Sequence, residues 1–316
     1  MSLAGLYPAT ITPFLPDLSI DSVELERHLR RTAQTPGVNG IAVNGGLGEL
    51  LQLSVDEQVD VVRLARNVCA PNQLVIAGLE GRNAEQLIAT GHRLIDAGAD
   101  AFLVLPVFDV RAYRRMSTDT EAVVELFTAL DAGLQTPMVV FNYPPASGCA
   151  YDVKTMLALA RIKNVVAMKA ASGTTPVYQE LWDALHDKIS VLVALDSPPL
   201  LEMLEHGSHG ALIGISAIAP AVWVDLLDRV QQGDRAGARF LFDKVCRPLM
   251  KAVFENQQPV RRTSEVAATK EALVQLGEIS SSRVRPPAIG VTQAVREEIR
   301  TALISAELLS TAAVPA

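Results

Sequence analysis

Eight short apolar runs alternate with eight helical segments along the first 230 residues, and no other feature constrains the fold as strongly. The runs are Leu6–Thr10, Gly40–Val43, Leu74–Ala77, Ala101–Leu105, Met138–Phe141, Val165–Met168, Val191–Leu195 and Ala211–Ile213. They are apolar throughout and rich in β-branched residues, as strands buried on both faces must be. Between them the period changes to that of a helix. Asp21, with Glu24 three residues on, heads the first helix, and Ser54 with Glu57 forms a capping box for the second. Further helices are predicted over Ala84–Ala97, Thr118–Ala132, Val153–Arg161, Val177–Leu185, Pro199–Glu205 and Ala221–Val230, with Gly98, Gly133 and His206-Gly207 as stops. Strands separated by helices pair in parallel. Eight such units predict a closed (β/α)₈ TIM barrel rather than an open doubly wound sheet. No Gly-x-Gly-x-x-Gly follows the first strand, which argues against a dinucleotide fold.

Beyond Gln232-Gly233 the pattern turns helical only, over Arg235–Phe254, Glu265–Leu276 and Thr292–Leu309. The predicted organisation is therefore a barrel over residues 1–232 and a C-terminal helical subdomain over 233–316, packed on it. No apolar run approaches the ~18 residues of a membrane span, and the N-terminus has no signal-peptide pattern, so a cytoplasmic protein is expected. Cys69, Cys149 and Cys246 are too scattered for a zinc site and suit free thiols. A formal charge of −7 argues against a nucleic-acid partner.

In a barrel the chemistry sits at the C-terminal ends of the strands. Lys169 is the only lysine at any of these predicted ends. It closes the run Val165–Met168 and precedes the turn Ser172-Gly173. Such a lysine either snorkels to water or, when enclosed, loses its charge and becomes a nucleophile toward carbonyls. After strand two, Gly45-Gly46-Leu47-Gly48 either makes a tight turn or offers backbone N–H groups to a carboxylate. Asp196, after strand seven, is expected to cap the following helix. His206 and His209 read as structural. No Asp, Glu or His cluster has metal-ligand spacing.

Several stretches resemble the dihydrodipicolinate synthase / N-acetylneuraminate lyase family of class I aldolases. They are Thr10-Ile11-Thr12-Pro13-Phe14, the glycine-rich Gly37 to Glu49, Ala77-Gly78, Gly98-Ala99-Asp100-Ala101, Phe141-Asn142-Tyr143-Pro144, Met168 to Gly173, and Gly210 to Pro220. The similarity runs from Leu6 to about Gly277. It implies a barrel, assembled as a homo-oligomer (dimer or tetramer), in which Lys169 forms an imine with pyruvate or another 2-oxo acid. The Gly46 and Leu47 amides would hold the carboxylate. The imine is its own electron sink, so no cofactor is implied.

Departures from the family pattern bear on activity. Leu47 stands where the family has a Thr or Ser, Phe141 replaces a tyrosine, and Phe108 replaces another. Those hydroxyls form the family's proton relay, and general acid–base help is typically worth ~10²–10⁴ in rate. The arginine that binds the second substrate in synthases would fall at Ala146. Synthase activity is therefore not expected. Tyr143 lies two residues after Phe141, on the same face of an extended strand. Its hydroxyl either enters the site from a shifted position or packs beneath Pro144-Pro145. Asp109 and Tyr113 are weaker candidates. Arg111, Arg114 and Arg115 either steer an anion or form a solvated surface. Phe141, Phe108 and Leu212 would give an apolar pocket. Two functions compete: an imine-forming lyase, aldolase or dehydratase, and a 2-oxo-acid-binding sensor without efficient turnover.

Overall fold

The computed structural model describes residues 1–106, 117–255 and 263–310. Its strands are β1 (Gly5–Leu6), β2 (Gly40–Val43), β3 (Leu74–Leu79), β4 (Ala101–Val104), β5 (Met138–Asn142), β6 (Val165–Ala170), β7 (Ser190–Val193) and β8 (Gly210–Ala211). All pair in parallel, in the order β1-β8-β7-β6-β5-β4-β3-β2. Single bridges Leu6↔Val38 and Ala9↔Ala42 bring the two ends together, so the sheet is a (β/α)₈ barrel. The first predicted run is longer than β1 because Pro8 has no N–H to continue the ladder. Its carbonyl still accepts from Ala42 N–H at 2.9 Å.

Alternate strand residues divide between two cores. Leu103, Val139, Ala167, Leu192 and Leu212 fill the barrel. Val104, Val140, Met168, Val191 and Ala211 face the surrounding helices. Those helices are α1 (Ser22–Ala33), α2 (Val55–Val68), α3 (Ala84–Asp96), α4 (Thr120–Leu134), α5 (Val153–Leu159), α6 (Thr175–Leu185), α7 (Leu200–His206) and α8 (Pro220–Gln231).

Local signals are mostly realised as read. The Ser54/Glu57 capping box is complete. At Asp21 only half forms: its carboxylate accepts from Glu24 N–H at 3.0 Å, while the Glu24 carboxylate turns away to Ser280 N–H at 2.8 Å. Gly133 does not stop α4. It lies inside the helix, where an added Cβ would sit 2.7 Å from Ile88 Cδ1 on α3. The helix ends instead at Gln135 in a left-handed conformation.

The predicted helix Arg235–Phe254 is α9 (Arg235–Leu241), a π-helical turn over Phe242–Cys246, and α10 (Arg247–Val253) in unbroken succession. Then come α11 (Glu265–Gln275) and α12 (Gln293–Ser305). α10 packs on α11, α12 and the 3₁₀ turn after β8. The C-terminal helices thus lie over one side of the barrel mouth. Among the described residues no helix is long and apolar enough to cross a membrane.

Candidate active site

Lys169 is the fifth residue of β6, in register with Phe141 of β5 and Leu192 of β7. That parity turns its side chain into the barrel. There it enters a cavity of about 390 Å³ at the C-terminal mouth. Its Nζ lies 3.8 Å from the centroid of the Phe141 ring. Burial draws the ammonium down to about 8, against the opposing pull of the Asp196 and Glu265 carboxylates. Among the described residues it makes no ion pair.

The same cavity is bounded by the loop after β2. Asn44 and Glu49 both take left-handed backbone angles, with φ of 53° and 58°, and enclose the turn. Gly78 on β3 makes room for it: a Cβ there would come 1.7 Å from Asn44 O. Inside the turn Glu49 N–H donates to Gly46 O at 3.1 Å and Leu50 N–H to Gly45 O at 3.2 Å. Thr12 Oγ1 donates to Gly48 O at 2.9 Å. The Gly46 and Leu47 N–H groups donate to no atom of the described residues, and nothing lies within 4 Å of where a Gly46 Cβ would be.

From behind, the loop is held by charge. Glu49 is paired with Lys270 of α11 at 2.5 Å, both side chains essentially without solvent contact. Its other oxygen accepts from Arg285 N–H at 2.9 Å, and Lys270 also donates to Arg283 O at 2.7 Å. Lys270 lies 4.2 Å from the Phe14 ring centroid. Sequence reasoning missed this pair. The available signal was one lysine inside the apolar stretch Val266 to Leu273.

On the β5 side, Phe141 and Tyr143 point the same way and stack, with centroids 4.2 Å apart and ring planes 27° from parallel. Both line the cavity. Asn142 between them faces outward and is locked to Tyr151 by two hydrogen bonds, of 3.1 and 2.8 Å. Burial, reinforced by the charges of Glu265, Cys149 and Glu80, pushes the Tyr143 hydroxyl up to about 12.

Three sequence expectations change or fall away here. Asp196 does not cap α7, which starts at Leu200 after Pro199. Its Oδ1 accepts instead from Ile215 N–H at 2.8 Å, beyond β8. The intervening Ser197-Pro198-Pro199 carries the chain past the reach of a cap. Burial raises the Asp196 carboxyl, partly offset by the Ile215 N–H, the Lys169 charge and the Gly214 N–H. Leu212 is fully buried and belongs to the layer below the cavity; Gly214 lines the mouth on that strand's path. Phe108, Asp109, Arg111, Tyr113, Arg114 and Arg115 lie outside the described residues. His209 is structural as read: its Nδ1 accepts from Val191 N–H at 3.0 Å, at the far end of the barrel.

The cavity also has a wall from the C-terminal helices that the sequence reading missed: Phe254, Glu255 and Glu265. Among the described residues no group of three His, Cys, Asp or Glu is placed to hold a metal ion.

Comparison with known proteins agrees with the barrel fold. A 4-hydroxy-tetrahydrodipicolinate synthase of Neisseria gonorrhoeae is 31% identical over 302 residues, 95% of this chain and 98% of that protein. One from Bradyrhizobium diazoefficiens is 29% identical over 306 residues, 97% of each. The crystal structure of the chloride-inhibited dihydrodipicolinate synthase of Acinetobacter baumannii, complexed with pyruvate, superposes with a TM-score of 0.86 at 26% identity, covering 98% of this chain and 100% of that one. The model of the dihydrodipicolinate synthetase family matches residues 2–306, and the chain belongs to that family.

Proposed function

We propose that the protein is an imine-forming lyase, aldolase or dehydratase, acting on pyruvate or another 2-oxo acid through Lys169. One observation carries this reading: the Lys169 amine stands over Phe141 in the cavity, depressed to about 8 and unpaired among the described residues. An amine in that state attacks the C2 carbonyl, and loss of water leaves the imine. Gly46 and Leu47 line the same cavity, and their N–H groups suit the adjoining carboxylate. The Acinetobacter baumannii relative was solved with pyruvate.

Phe141 forms an apolar wall beside the substrate methyl group, and Leu212 supports the floor from beneath. Tyr143 directs its hydroxyl as a hydrogen-bond donor to a substrate oxygen. The synthase reaction itself is not the one proposed, because Leu47 and Phe141 bring no hydroxyl to the site and Ala146 brings no guanidinium. The same walls support a second reading, a 2-oxo-acid-binding protein without efficient turnover. By family resemblance the assembly is proposed to be a homodimer or homotetramer, which sedimentation velocity would show.

Treatment with pyruvate and borohydride, followed by intact mass and peptide mapping, tests the imine. A reduced adduct on Lys169 is the expected result. No adduct with pyruvate or any longer 2-oxo acid would sink the lyase reading. An adduct with no product from any aldehyde partner would favour the binding protein.

A further inference from the structure

The two sides of the lysine are unlike. On the β5 side stand the stacked rings of Phe141 and Tyr143. On the β7 side Ala194, Leu195, Asp196 and Ser197 line the cavity in succession. Asp196 is the titratable group of that side. Its carboxyl is oriented by the N–H groups of Ile215, at 2.8 Å, and Gly214. Lys169 and Asp196 feel each other's charge yet form no ion pair. Both line the same cavity, of about 390 Å³.

We propose that Asp196 is the catalytic acid and base of this cavity, performing the proton transfers that the absent hydroxyls of Leu47 and Phe141 cannot. The proposal rests on the imine reading above. Once the amine has added to the C2 carbonyl, the carbinolamine C2–O bond breaks as Asp196 gives its proton to the departing oxygen. Water leaves, and the nitrogen lone pair forms the iminium. The Asp196 carboxylate then takes a proton from C3. The C3–H pair becomes the C2=C3 bond, the iminium pair returns to nitrogen, and Asp196 is protonated again. Atoms and charge balance without a co-reactant. Tyr143 is poorly suited to this cycle: with its hydroxyl up at about 12 it keeps its proton and serves as a donor only. Burial raises the Asp196 carboxyl, and a carboxyl that holds its proton more firmly is more often ready as the acid while its carboxylate still serves as the base.

Asp196→Asn separates this role from a structural one, because the amide oxygen still accepts from Ile215 and Gly214. The readout is exchange of the pyruvate methyl hydrogens with deuterated water, followed by NMR. Exchange is expected to fall by ~10²–10⁴-fold, while melting is unchanged and prolonged borohydride treatment still traps Lys169. A folded Asp196→Asn protein exchanging within about threefold of wild type overturns the proposal. The wild-type pH profile tests it without any variant: two inflections, one from each group, are expected, and a single one overturns it. A wild type that traps pyruvate yet exchanges no faster than Lys169→Met also overturns it. Failure of the wild type to trap pyruvate or 2-oxobutyrate would instead remove the imine reading, and this assignment with it.

Discussion

Lys169 and Lys270 are both drawn down to about 8 by burial, and both sit over an aromatic ring, 3.8 Å from Phe141 and 4.2 Å from Phe14. Their surroundings otherwise differ. Lys270 is bound on two sides, by the Glu49 carboxylate at 2.5 Å and the Arg283 carbonyl at 2.7 Å, and touches no solvent. Lys169 has neither kind of partner among the described residues and opens into a cavity. A depressed pKa therefore does not identify a nucleophile. What supports the proposed role of Lys169 is the bonding left unmade, next to a cavity.

The largest expected effect separates the two lysines outright. Lys169→Met should abolish the borohydride-trapped adduct and lower turnover by ~10⁴-fold or more, with melting unchanged or improved because a charge leaves the interior. Trapping at wild-type yield in that variant would end the distinction. Lys270→Met should do the reverse. It leaves Glu49 as an uncompensated buried charge, which costs roughly 3–5 kcal/mol in urea unfolding. Adding Glu49→Gln should restore most of that loss. A Lys270→Met protein as stable as wild type would mean that the pair does not hold the loop.

A smaller effect is expected at the ring stack. Tyr143→Phe keeps the stacking and removes the hydroxyl, so kcat should drop by about 10²-fold with trapping and melting retained. Unchanged kcat would remove Tyr143 from the chemistry. Smallest is the pH dependence. Only the neutral amine attacks, so the rate of carbonyl addition should climb about tenfold per pH unit below 8 and level off above it. Asp196 stabilises the Lys169 ammonium, so Asp196→Asn should move that midpoint down. A midpoint near ordinary lysine would erase the likeness between the two residues.

The barrel was legible because period is local: strands buried on both faces read as solid apolar runs wherever they fall. Lys169 was legible because strand parity and strand end both follow from the run before it. That Phe141 and Tyr143 point the same way followed from their two-residue spacing; that their rings stack did not. What could not be read depends on which loops meet. Asp196 bonds to Ile215, past the next strand, whereas a cap reading considers only its own helix. Lys270 and Glu265 belong to α11, whose position over the mouth is a packing result. Leu212 was misplaced because β8 ends at Ala211, and how far a short tilted strand reaches toward the mouth is set by the whole barrel's stagger. Gly133 was read as a stop because local sequence does not show that α3 presses against it.

The Glu49–Lys270 pair also sets an order of events. Its two residues are 221 positions apart, while Thr12, which holds the same loop from the other side, is 36 positions from its partner Gly48. As the chain emerges from the ribosome, N-terminal segments form first. The Thr12 tie needs only the first 48 residues, whereas Glu49 has no Lys270 to pair with until α11 has been made. The turn that bounds the cavity near the start of the chain is thus completed by a helix near its end, so a barrel can be nearly formed before this cavity wall is fixed.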